Sequence, residues 1–236
     1  MPGYASDDTD AVIDDVEGLW ERIYEVARNV ADQRMVQAGP AKLVESRPEW
    51  AVTARRLGGR VLAALAHLPD HGQFSVEHIG STSVPGLAAK PIVDLQLGVP
   101  DLERLPGISE ALAEFGFVDV AAHRPNSPGV LADQPRGRFA ASGTWDKRLF
   151  VSVDRWQAAI LHVRQIGSPW WGYTVEFRDW LRANPDARDA YQRMKLDLAA
   201  THANDVDYDK YTVGKTAFFD QVQPEFEAWN ASTRHP

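Results

Sequence analysis

Apolar residues at Val12, Val16, Leu19, Trp20, Ile23, Val26, Ala27 and Val30 recur every three or four positions. That is the period of a helix with one apolar stripe, and it predicts a long helix over residues 12–36, ended by "QAGPAK". A second helix is expected after "SRPEW", with Ser46 as cap and Pro48 in the first turn, running to about His67 before "LPDHG". The period then shortens. "QFSVEHI" (73–79) and "PIVDLQLGV" (91–99) are short, β-branched and partly alternating, as strands are. "DLERLPGISEALAEF" is helical again and "GFVDVAA" strand-like. Residues 123–144, rich in Pro and Gly, have no period and predict a long surface loop of the kind that often carries function. "DKRLFVSVD" and "AAILHVRQI" predict two more strands. "WWGYTVEFRDWLRAN", "PDARDAYQRMKLDLAATHA" and "KTAFFDQVQPEFEAWN" predict a helical end, with Pro185 in the first turn of the second. With no repeat or low-complexity tract, the outline is a mixed sheet flanked by helices, α/β or α+β.

Composition adds limits. The 236 residues are 44% hydrophobic and 25% charged, an ordinary globular balance. The net charge of -8 argues against nucleic acid and anionic membrane as partners, so an anionic ligand would need a local basic cluster. The absence of Cys removes disulfides and thiolate metal sites. The acidic first eleven residues predict a disordered tail without a signal-like apolar core, and nowhere do eighteen apolar residues run together. A cytoplasmic protein is expected.

The stretch "VEHIGSTSVPGLAAKPIVDLQLGV" (76–99) carries the candidate chemistry. Gly80 and Ser81, with Thr82 and Ser83 after them, follow a predicted strand, where backbone N–H groups and hydroxyls can meet phosphate oxygens. Asp94 stands on the next strand, a place from which a carboxylate can hold a divalent ion. On spacing alone, a Gly turn with an Asp capping or pairing in the core accounts for the pattern equally well. Under the phosphate reading the loop is exposed, so replacing Gly80 should abolish ligand binding and change the melting temperature little.

"HIGSTSVPGLAAKPIVDL", "LHVRQIGSPWW", "FRDWLRANPDARDAYQRMK" and "YDKYTVGKTAFF" together resemble the GrpB family of nucleotidyltransferase-fold proteins. The likeness spans about residues 41–230, leaving 1–11 as a tail and 12–40 as a helical connector. It extends to the domain fused behind the kinase of some bacterial dephospho-CoA kinases. The resemblance implies a nucleotidyltransferase-like mixed sheet, a nucleotide or other phosphorylated small molecule as ligand, and Mg²⁺ on Asp94 for nucleotidyl or related group transfer. One departure stands out. Two residues beyond Asp94 is Gln96, not a second acid, so one anionic ligand of the usual pair is missing and Mg²⁺ should be recruited mainly with a phosphate. Asp146 and Asp154 are candidates for a further acid.

The basic residues in the matching segments are Lys90, Arg148, His162, Arg164, Arg178, Lys195 and Lys215, and several are expected to converge on one cleft. In the leading reading, Lys90 and Arg148 neutralise charge and His162 acts as acid or base. The rival is a non-catalytic module that binds a nucleotide or a CoA-like compound and regulates a partner; a third is a fold adapted to another ligation or transfer step. Three features are set aside. "VGKT" (213–216) lacks the first Gly of a phosphate loop, Asp209 standing there. Pro69 separates His67 from His71, and the eight Trp are chiefly packing residues. A monomer is expected, with dimerisation through the first helix as the alternative.

Overall fold

Residues 39–122, 125, 129–136, 144–154, 157–206 and 208–233 are described in a computed structural model. The expected tail and first helix lie outside them, as does much of the loop 123–144. Five strands form a mixed sheet among the described residues: β1 (Ser75–Ile79), β2 (Val93–Val99), β3 (Phe117–Asp119), β4 (Arg148–Ser152) and β5 (Ala159–Gln165), in the order β1-β2-β5-β4-β3. The central neighbours β2 and β5 are parallel and all other pairs antiparallel. A parallel pair needs a long crossover. Here the crossover is the segment from residue 100 to 158, which includes β3, β4 and the helix α2 (Ile108–Glu114).

Alternation along the central strands sorts two faces. Leu95, Leu97, Val99, Leu161 and Val163 are buried in one cluster with Trp50, Ala54, Leu57 and Val61 of α1 (Glu49–Ala64) and with Ile108 and Leu112 of α2. The opposite face presents Asp94, Gln96 and Gly98 of β2 beside Ile160, His162 and Arg164 of β5, with Gln96 directly across from His162. Over that face lies a second layer: α3 (Pro169–Ala183), α4 (Pro185–Thr201) and α5 (Asp209–Thr233). These helices have a largely aromatic core of their own, in which Tyr173, Phe177, Trp180, Tyr191, Phe218 and Phe226 are buried. Both α3 and α4 start on a Pro, whose missing N–H costs nothing in a first turn. Gly98 lets the layers meet, since a Cβ there would stand 2.5 Å from the Trp171 ring.

The nucleotidyltransferase-like arrangement expected from the sequence is the one found, a mixed sheet flanked by helices with a helical C-terminal part. Two details differ. Ser46 does not cap α1; its Oγ accepts the Gly86 N–H at 3.0 Å and so ties the loop after β1 to the chain before α1. The last helix begins at Asp209 and takes "VGKT" into its first turns, which sets Tyr211 and Lys215 four apart on one face. No helix among the described residues is long and apolar enough to cross a membrane.

Candidate functional site

The chain leaves β1 through Gly80 with φ +70° and ψ -171°, a conformation open essentially to Gly alone. A short 3-10 turn, Ser81–Ser83, follows. Four side-chain bonds hold it. The Ser83 hydroxyl donates to the Gly80 carbonyl at 2.6 Å, Thr82 Oγ1 lies 3.0 Å from His78 Nε2, and the Arg182 guanidinium donates to the Ser83 carbonyl at 2.7 and 3.1 Å. Gly80 itself is exposed beside the Asp94 carboxylate. This turn and the β2–β5 face form one wall of a cleft of about 380 Å³, and α3, α4 and α5 form the other.

Asp94 faces that cleft with 28% of its side chain exposed, its Oδ1 3.8 Å from His162 Nε2. The other imidazole nitrogen, Nδ1, lies 3.5 Å from Arg164 Nη2. Burial pulls His162 down to about 4, against the pull of Asp94 and with the help of Arg164 and Lys147. The ring is therefore neutral at pH 7 and too weakly basic to take up a proton readily there.

Gln96 explains the missing second acid. The residue is fully buried, and its Oε1 accepts Arg164 Nη1 at 2.6 Å and the Thr174 hydroxyl at 2.8 Å. Its Nε2 donates to the Trp171 carbonyl at 2.9 Å. The amide fastens α3 to the sheet and does not line the cleft. A firmly held Mg²⁺ needs several anionic oxygens in near-octahedral positions, and Asp94 supplies one carboxylate. No group of three His, Cys, Asp or Glu side chains suited to a metal comes together among the described residues. The residues present do not fit an Mg²⁺ held by the chain's own carboxylates.

The cations divide by partner. Arg164 is gripped by Asp133 at 2.7 and 3.1 Å, and Lys147 reaches the same carboxylate at 2.7 Å. Burial works to raise Asp133, but these two cations outweigh it and hold the group down to about 2. Arg178 lines the cleft yet is spent on Glu77 at 2.7 Å, the His78 carbonyl at 2.9 Å and Asp179 at 2.8 Å. Lys90 and Lys215 are different. Lys90 Nζ sits 3.3 Å from the centre of the Tyr208 ring and 5.8 Å from that of Tyr211; Lys215 Nζ is 5.3 Å from Tyr211. Burial, then Lys215, lowers Lys90 to about 7 against Asp94 and Asp209, and burial lowers Lys215 as well.

Of the residues expected from the sequence, the cleft collects Gly80, Ser81, Thr82, Lys90, Asp94, His162, Arg164, Arg178 and Lys215. Three stand elsewhere. Ser83 is buried in its own turn. Lys195 is 1% exposed behind the wall, where it donates to the Ala88 carbonyl. Arg148 lies on the opposite face of the sheet, across from Val163, bonded to Asp119 at 2.5 Å and Ser109 at 2.6 Å. Its assignment to the site is corrected by the strand register, because the site face receives Lys147, one residue earlier. Phe150, fully buried on the core face, was the available signal, since Arg148 lies two residues before it. Asp146 and Asp154 do not line the cleft; Asp133 does, from within the aperiodic loop, where no pattern marked it.

The five-stranded mixed sheet with helices on both faces has a nucleotidyltransferase-like fold. The chain belongs to the GrpB protein family, whose sequence profile matches residues 40–225. It is 31% identical over 229 residues to the dephospho-CoA kinase of Mycolicibacterium paratuberculosis, a match covering 91% of this chain and 53% of that protein. It is 27% identical over 192 residues to the glutamate-rich protein GrpB of Alkalihalophilus pseudofirmus, covering 80% of this chain and 98% of that one. The chain thus spans about half the length of the kinases it resembles and nearly the whole of the smaller protein. The crystal structure of the conserved protein GrpB from Enterococcus faecalis matches with a TM-score of 0.59 at 24% identity, covering 80% of this chain and 99% of that one, which bears on the fold.

Proposed function

We propose that the cleft binds a nucleotide-like phosphorylated ligand and that group transfer, where it occurs, takes place beside Asp94. The observation that carries this reading is the opening of the Gly80–Ser81 turn onto Lys90 and Lys215 in a cleft walled by Trp170, Tyr173 and Phe177, within a chain of net charge -8. The Ser81 hydroxyl and backbone N–H groups suit phosphate oxygens, the ammonium groups supply counter-charge, and the rings offer a surface to a planar or apolar group. A cleft of about 380 Å³ is of the size that encloses one mononucleotide-sized moiety. Similarity to dephospho-CoA kinases over half their length supports a nucleotide-like ligand without naming it. His162, neutral and beside Asp94, suits hydrogen bonding to the ligand better than proton abstraction.

The second reading is a non-catalytic binding module acting on a partner, and the engagement of Gln96 within the fold favours it, because among the described residues the cleft's other carboxylate, Asp133, is taken by Arg164 and Lys147 and Asp94 has no free acid to share a metal with. Melting of the full chain with ATP, CoA and dephospho-CoA tests the binding. A ligand at one hundred times its Kd adds about 2.7 kcal/mol, and failure of every phosphorylated compound to shift the melting point would reject the reading. Chromatography of the bound ligand after incubation then separates transfer from simple binding.

A further inference from the structure

The other clustered cations of the site are matched to acids, Arg164 and Lys147 to Asp133 and Arg178 to Glu77 and Asp179. Lys90, Lys195 and Lys215 are not: among the described residues none of them is in an ion pair. Each instead meets a tyrosine ring, Lys90 that of Tyr208, Lys215 that of Tyr211, and Lys195 that of Tyr191 at 4.9 Å. The difference is functional in kind. A carboxylate partner fixes an ammonium and cancels its charge, whereas a ring fixes it through the quadrupole of its face and leaves the charge in place. Lys215 lies close enough to act repulsively on both Lys90 and Lys195. Uncompensated charge in a partly buried site is costly for a fold that gains nothing from it. Asp94 and Asp209 act on Lys90 from a distance, and Asp94 on Lys215, without forming ion pairs with them.

We propose that Lys90 and Lys215, with Lys195 behind them, form a polyphosphate subsite that takes the di- or triphosphate of its ligand as the free polyanion, ammonium groups standing where nucleotidyltransferase-like sites use carboxylate-held Mg²⁺. The proposal rests on the phosphorylated-ligand reading and sharpens it, since it names the ligand's terminal group and its metal-free state. The donor set agrees from the other side. Gln96 is occupied within the fold and Asp133 is taken by Arg164 and Lys147, so among the described residues the cleft has little besides Asp94 with which to hold a metal and two lysines with which to hold phosphate. Lysine suits the task as a compact, rotatable point charge that can follow phosphate oxygens. Mg²⁺ on the ligand would compete for those oxygens and bring positive charge toward the ammonium groups.

The test is calorimetry on the full chain with pyrophosphate and ATP, each in EDTA and in excess Mg²⁺. Binding in EDTA should be at least as tight as in Mg²⁺, and Lys90→Met and Lys215→Met should each weaken it about tenfold or more, the range for a hydrogen bond to a charged group. Lys215→Arg, which keeps the charge, should retain most of the affinity. Melting of the unliganded variants guards against misfolding: both Met variants should melt at or above the parent temperature, because each removes an uncompensated charge. Binding that appears only with Mg²⁺ and is lost in Asp94→Asn would overturn the proposal while leaving the phosphorylated-ligand reading intact. Parent-like affinity in the Met variants, or a marked fall in their melting temperatures, would overturn it as well. No binding of either probe in EDTA or in Mg²⁺ would overturn the proposal, while the phosphorylated-ligand reading would then stand or fall on CoA and dephospho-CoA.

Discussion

Replacing Gly80 by Ala separates backbone strain from contact in a way that can be worked out in advance. The backbone at φ +70°, ψ -171° lies in a region that costs an L-residue about 1–3 kcal/mol. The new Cβ would also stand 2.4 Å from Asp94 Oδ2 and 3.0 Å from both Cβ and Cγ of Asp94. The Asp94 carboxylate must turn off its rotamer to clear the new methyl group, so the crowding adds about 1 kcal/mol. The total is about 2–4 kcal/mol, and at about 2–4 °C per kcal/mol for a chain of this size the melting temperature should fall by about 5–15 °C. This revises the expectation that an exposed loop would tolerate the change: Gly80 is exposed, yet its conformation and its neighbour both demand Gly. The assay is a double-mutant cycle with Asp94→Ala, which removes Oδ2 and Cγ and leaves the strain. Gly80→Ala should cost about 1 kcal/mol less in the Asp94→Ala background. A loss below about 1 kcal/mol in the single variant, or no coupling in the cycle, would refute the reasoning.

Gln96→Asp should not create a metal site. The shorter side chain strands Arg164 Nη1 and the Trp171 carbonyl, and denaturant unfolding should show a loss of about 2–4 kcal/mol with no Mg²⁺ binding by calorimetry. Arg148→Met should lower stability by about 1–3 kcal/mol by leaving the Asp119 carboxylate without its cation, while affinity for pyrophosphate per folded molecule stays at the parent value. Stability should also follow pH in two windows. Burial lowers His78 and His162 from 6.5 to about 4, so the unfolded chain binds more protons between those values, and stability present above pH 6.5 is lost as pH falls toward 4. Lys90 and Lys195, lowered from 10.5 to about 7, act in the same direction higher up. Their charging penalty is full below pH 7 and relieved as pH rises, by at most about 1.4 kcal/mol per pH unit per lysine, and urea midpoints of the parent and Lys90→Met should differ in slope above pH 7.

Local order was legible in the chain itself. Period two in "PIVDLQLGV" and "AAILHVRQI" gave two strands, and the same alternation placed Asp94 and His162 opposite the apolar residues beside them. Pro185 at the start of α4 marked a helix boundary, because the ring fits a first turn. The Gly-Ser turn and Asp94 stood out for the same local reason, a conformation and a charge that neighbouring residues do not explain. What no local pattern carries is which distant charges cancel. Asp133 comes from an aperiodic loop to neutralise Arg164 and Lys147; Gln96 is bound to a helix that starts more than seventy residues later; and a one-residue difference in β4 register sends Arg148 to the core face and Lys147 to the cleft. Side-chain type and periodicity are properties of the chain, but the partner of a charge is a property of the packing, since Coulomb and hydrogen-bond energies depend on separations that only the assembled layers set. For that reason the sequence determined the sheet, the turn and the Asp94 carboxylate, while the tertiary structure decided which cations are matched to acids and which meet tyrosine rings.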